Sequence, residues 1–145
     1  MAVQNSRAGL LRLGVVAASL GAGIIHLAVA PAHFAEYWLF GAFFFSAGLF
    51  QVTTAALLQF IPKPSLVAMV VVSNGLIPVV WLVSRTTGLP VGPHSFTPED
   101  VGSADAAATV LELLIVAGGV WLLTGIGKGG ERIHHVESPV RDRMR

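Results

Sequence analysis

The chain has 145 residues, 54% of them hydrophobic and 12% charged, with a mean hydropathy of +0.73. Soluble domains carry about 25% charged residues, so the composition excludes an ordinary soluble domain and describes an integral membrane protein. A net charge of +1 points to no partner class and leaves no nucleic-acid footprint, and the absence of cysteine excludes disulfides, thiolate metal sites, iron–sulfur clusters and cysteine nucleophiles together. Seven arginines against two lysines, with abundant Ala, Gly and Val, suggest a GC-rich bacterial genome.

About 20 apolar residues cross a bilayer core, and four stretches qualify. The first runs from Leu10 to Ala30, interrupted by Arg12 and closed by Pro31. Arg7, Arg12 and Ala28-Val29-Ala30 imitate a cleavable signal. The apolar run exceeds the usual 7 to about 15 residues, however, and Pro31 would follow the cut, so an uncleaved span is expected. The second span covers Tyr37 to Ile61, and Pro62-Lys63-Pro64 turns the chain into the third, Leu66 to Ser84. Pro78 inside the third is tolerable as a kink. The fourth covers Ala106 to Ile126. The expected fold is therefore all-α: a transmembrane four-helix antiparallel bundle over residues 1–130, followed by a disordered polar cytoplasmic tail over 131–145.

Four spans put both termini on one side, which then holds eight of the nine positive charges; Arg85 is the exception. The positive-inside rule places that side in the cytoplasm, so a multi-pass protein of the plasma membrane is expected, with both termini inside. The outer half receives His26, His33 and His94 with Glu36, Glu99, Asp100, Asp105 and Glu112. Within a span a carboxylate such as Glu112 costs roughly 2.5 to 3.5 kcal/mol on insertion scales, so it needs a partner or a purpose. His26 poses the same question in the first span, about 6 Å below its outer end; Glu112 lies roughly 10 Å along the fourth. Asp105, Thr109 and Glu112 share one helical stripe. His33 and Glu36 stand three apart, read as the start of the second helix, with Tyr37 on the same face. His26 and Glu112 would floor an outer mouth rimmed by His33, Glu36 and Asp105.

Between Arg85 and Ala104 lies the one long connection, whose stretch Arg85 to Asp100 holds three prolines and two glycines. Its lack of helix or strand period, and its turn residues, suggest an ordered lid. His26, the stretch His33-Phe34-Ala35-Glu36-Tyr37-Trp38-Leu39-Phe40-Gly41, the turn Arg85-Thr86-Thr87-Gly88-Leu89-Pro90 and Glu112 together give the chain its resemblance. It resembles small, uncharacterised four-span integral membrane proteins of actinobacterial type. That resemblance implies the architecture and carries no activity with it.

Imidazole with carboxylate suits a divalent metal, with zinc, manganese, iron and cupric copper as candidates. His33-x-x-Glu36 has a spacing also used in helical-bundle carboxylate metal proteins. The expected ligands are His26, His33, Glu36 and Glu112, with His94, Asp105 and Arg85 as further site residues. Haem is a poor fit, since His26 alone among the histidines lies clearly within a span. Two other readings stay open: a non-enzymatic membrane subunit locked by a polar network and working through a protein partner or a second copy, and a path for protons or a small solute. Gln51, Ser73 and Asn74 read as bridges between the second and third helices, worth about 0.6 kcal/mol per bond. Gly14-x-x-x-Ala18, Ala17-x-x-x-Gly21, Gly118 and Gly119 read as points of close helix approach. No phosphate loop, nucleophile elbow or nucleotide fingerprint is present.

Overall fold

A computed structural model describes residues 2–141, with side chains described over 6–125. It contains four helices: α1 (Ala2–Glu36), α2 (Trp38–Phe60), α3 (Pro64–Thr86) and α4 (Ser103–Arg141). Each holds a segment long and apolar enough to cross a membrane, namely Ser6–Glu36, Trp38–Phe60, Pro64–Thr86 and Ser103–Gly125. The chain is thus a four-span membrane protein by the length and composition of its helices. The tail expected over 131–145 falls on residues whose side chains lie outside the described set, and 142–145 lie outside it altogether.

Surface and interior are arranged as a bilayer demands. Large apolar side chains such as Ile24, Val72, Leu76, Leu113 and Leu114 are more than half exposed, where acyl chains would meet them. The interior instead takes small residues, Ala22, Ala30 and Ala55, and polar ones, Ser19, Gln51, Thr54 and Asn74, all nearly inaccessible. Lipid is as apolar as leucine, so close packing and hydrogen bonds replace the hydrophobic effect in holding such helices together. Around Val15, Leu58, Val67, Val70 and Ile115 a compact apolar core forms.

α1 packs along α2 and also against α4, and α4 against α3, whereas α2 and α3 approach each other sparsely. The cross-section is a clasp whose free jaws are α2 and α3. Its tightest joint lies where α1 crosses α2. A Cβ at Gly48 would stand 2.8 Å from the Gly23 carbonyl oxygen and 3.0 Å from the Leu27 nitrogen. The close approach expected near Gly14 is absent, since a Cβ there meets nothing within 4 Å. Gly21 is tighter, since a Cβ there would stand 3.1 Å from Leu111 Cδ1, and one at Gly118 would stand 2.6 Å from Val15 Cγ2.

Two boundaries differ from the sequence expectation. Pro31 does not close α1, which continues to Glu36. A proline removes one helix hydrogen bond, here to the Leu27 carbonyl, and within a packed transmembrane helix its neighbours absorb that loss. The break comes instead at Tyr37, whose extended backbone (φ −157, ψ 127) precedes α2. His33 and Glu36 therefore occupy the last turn of α1, not the first turn of α2. The Pro62–Pro64 turn stands as expected: Lys63 N–H donates to the Ile61 carbonyl at 2.8 Å, and Pro64 opens α3.

Candidate functional site

Each helix contributes one buried polar side chain to a single cluster: His26 from α1, Gln51 from α2, Asn74 from α3 and Glu112 from α4. None is more than 3% exposed. Asn74 Nδ2 donates to the Val70 carbonyl at 2.9 Å, one turn back on its own helix. Gln51 Nε2 donates to Asn74 Oδ1 at 2.9 Å and to Glu112 Oε1 at 3.2 Å. Gln51 Oε1 meets His26 Nδ1 at 2.9 Å, and His26 Nε2 stands 3.5 Å from Glu112 Oε1. Buried polar groups need such partners, because an unmet one costs roughly 1 to 3 kcal/mol.

The bridging role read for Gln51 and Asn74 is present, since their bond joins α2 to α3. What the sequence reading missed is that Gln51 is also the hub joining His26 to Glu112. Counted at 1.5 Å per residue from the observed helix ends nearest the long loop, all four residues lie at one level, roughly 14 to 20 Å deep. Ending the first span at Ala30 puts His26 only about 6 Å deep, so the shared level is visible only once α1 is seen to run to Glu36.

Above this layer opens a cavity of about 230 Å³. In that measure one water needs roughly 10 to 15 Å³, so the space suits a small organic molecule. Its floor includes His26 and Glu112, and its walls are Phe40, Phe43, Phe44, Ile77, Val80 and Trp81. Asp105, Thr109 and Glu112 all line it, as their shared stripe suggests. Phe44 spans the depth of the wall, with its ring centroid 5.6 Å from that of His26 and 4.0 Å from that of His33.

At the rim Arg85 pairs with both Glu99 and Asp105. The Glu99 N–H donates to the Ser84 carbonyl at 3.0 Å, so this part of the connection is fastened to the end of α3 by backbone and side chain. Gly92 adopts φ +100, where a Cβ would stand 2.6 Å from the Phe40 ring. The long connection thus touches the cavity wall at a point that admits only glycine.

Of the ligands expected for a metal, the structure brings His26 and Glu112 together. His33 is half-buried and lines the cavity, its Nδ1 donating to the Val29 carbonyl at 2.9 Å. Glu36 and His94 are exposed and line no part of it. Asp105 is engaged by Arg85. Among the described residues no group of three or more His, Asp or Glu side chains is gathered as a metal ion would need. Comparison with family models, curated proteins and solved structures returned no match.

The site's charges are unevenly matched. Arg85 faces two carboxylates, and Glu112 has only a histidine. With His26 neutral, the cavity carries more negative than positive charge.

Proposed function

We propose that this membrane protein binds a small organic cation, an apolar body carrying an amine or quaternary ammonium, in an outward-facing cavity. The observation that carries the reading is the Glu112 carboxylate, 1% exposed, at the floor of a cavity walled by Phe40, Phe43, Phe44 and Trp81. Aromatic faces attract cations by about 0.5 to 2 kcal/mol each, more when desolvated. A carboxylate in a low-dielectric floor supplies the countercharge. Apolar walls with few polar groups are also the usual build of a small-molecule site. The positive charges of the other side, and Arg85 alone on this one, support an outward orientation with both termini in the cytoplasm.

The test compares benzyltrimethylammonium with its uncharged carbon isostere, neopentylbenzene, on the purified protein. The cation should bind saturably and at least tenfold more tightly, and Glu112→Gln should remove that preference. Equal binding of the two would overturn the reading.

A second reading rests on a different observation. The Nδ1 of His26 is held by Gln51, and its Nε2 is turned toward Glu112. Histidine ligands of metals are commonly oriented in this way, by a hydrogen bond from the other ring nitrogen. A divalent ion taking Nε2 and Glu112 would need further ligands, from water or from a movement of His33 or Asp105. Metal analysis of wild type beside His26→Ala and Glu112→Ala decides it. Stoichiometric metal lost in both variants favours the ion; no metal in wild type leaves the organic cation.

A further inference from the structure

The direction of every hydrogen bond in the buried layer follows from one backbone atom. The Val70 carbonyl can only accept, so the Asn74 atom 2.9 Å from it is the amide nitrogen. Asn74 Oδ1 is then an acceptor, and the Gln51 atom facing it must be Nε2, the donor. This leaves Gln51 Oε1 to accept, so His26 Nδ1 carries a hydrogen. Neither amide can reverse without placing two donors or two acceptors face to face. One place remains where a proton is free to come or go: between His26 Nε2 and Glu112 Oε1, 3.5 Å apart.

From this we infer that the site exchanges one proton for one cation. The inference rests on the cation-binding reading above. With the cavity empty, a single proton between His26 and Glu112 leaves the pair with no net charge. A cation seated on Glu112 supplies that charge itself, and the proton is displaced to the water outside. The balance is one cation bound, one proton released, with the layer neutral before and after. The two occupants exclude each other because two positive charges against one carboxylate, inaccessible to water, repel strongly at low dielectric. Other titratable groups facing the pair are His33 on α1, Arg85 on α3, Asp105 on α4 and Glu99 from the connecting loop. From α2 the facing group is Gln51, which does not titrate. Glu99 and Asp105 are both held by Arg85, whereas Glu112 faces only His26, so the proton between His26 and Glu112 is the one that answers to the cation.

Calorimetry of benzyltrimethylammonium binding tests this, since the probe carries no proton of its own. Titrations in buffers of differing ionisation enthalpy, across the histidine range of about pH 5 to 8, count the protons released. The expected result is a release approaching one per cation at the acid end of the range. There the dissociation constant should weaken about tenfold for each unit the pH falls. Saturable binding with no proton release at any pH would overturn the exchange and leave the cation site standing. No binding at all would overturn both. A Gln51→Met variant adds a readout on the amide chain itself: it should still bind, but with the pH dependence displaced, because His26 Nδ1 has lost its fixed acceptor. An unchanged pH profile in that variant would overturn the assignment of the proton to His26 and Glu112.

Discussion

Replacing Gln51 by leucine removes three hydrogen bonds at once, to His26, Asn74 and Glu112. Side-chain bonds between membrane helices average about 0.6 kcal/mol and reach about 1.7. Three of them therefore predict a loss of roughly 2 to 5 kcal/mol. Asn74→Leu is the internal standard. It removes the Gln51 bond and the bond to the Val70 carbonyl, but that carbonyl belongs to a helix and keeps its place in the helical ladder. Its expected cost is that of one interhelical bond, about 0.6 to 1.7 kcal/mol. Gln51→Met, which keeps the length of the side chain and discards its polarity, separates lost bonding from lost shape. Unfolding in bicelles by sodium dodecyl sulfate measures all three. The reasoning is refuted if Asn74→Leu costs as much as Gln51→Leu, or if Gln51→Met matches wild type.

His26→Leu and Glu112→Leu should be strongly non-additive, coupled by about 0.5 to 3 kcal/mol, because removing either strands the other; thermal melts in detergent would show additive losses if the two did not interact. Glu112→Gln should melt closer to wild type than Glu112→Leu, since an amide still offers Oε1 to the Gln51 donor. Gly48→Ala should destabilise by about 1 to 3 kcal/mol, as the new methyl meets the Gly23 carbonyl oxygen at 2.8 Å. Gly14→Ala, with nothing within 4 Å, should be neutral or stabilise by up to about 1 kcal/mol through helix propensity, and equal melting points for the two variants would contradict the α1–α2 crossing. Arg85→Gln should speed proteolysis of the 88–102 connection several-fold, because it removes both pairs at once, the exposed one to Glu99, of a kind worth about 0 to 1 kcal/mol, and the half-buried one to Asp105. An unchanged cleavage rate would show that Glu99 and Asp105 do not hold the connection down.

The four helices were legible because membrane spans are written in hydropathy, a signal averaged over some twenty residues and tolerant of local detail. The end of α1 was not. Pro31 is a strong local signal for a stop, but a packed transmembrane helix overrides it, and the true break at Tyr37 carries no Gly or Pro to mark it. That error moved His33 and Glu36 to the wrong helix and made their spacing look like the start of a ligand set. His26 and Glu112 were found because a titratable group inside an apolar run is conspicuous whatever surrounds it. Gln51 was read as a bridge to one helix because amides are common, inexpensive packing residues. Its reach to three partners depends on rotation about the helix axes, which hydropathy does not record. Asp105 was grouped with the histidines because the topology puts it on their side and its helical stripe on the cavity; the structure keeps it on the lining but pairs it with Arg85.

The uneven packing of the helices has a mechanical consequence. α1 and α4 form a stiff spine, joined to each other and each to one outer partner, while α2 and α3 are connected to one another by a three-residue turn and the Gln51–Asn74 bond. That bond works as a rivet at mid-height. Below it the short turn holds the pair at fixed separation; above it they are joined across the cavity by the connection that leaves α3 and lies against Phe40 of α2 at Gly92. Because α2 and α3 touch each other sparsely, the width of the upper chamber would change by swinging either of them against the spine about the rivet. Phe40, Phe43 and Phe44 ride on one of these arms and Trp81 on the other. Bilayer lateral pressure bears on the same coordinate, so lipids that squeeze the leaflet around the cavity would tighten the aromatic walls around whatever they enclose.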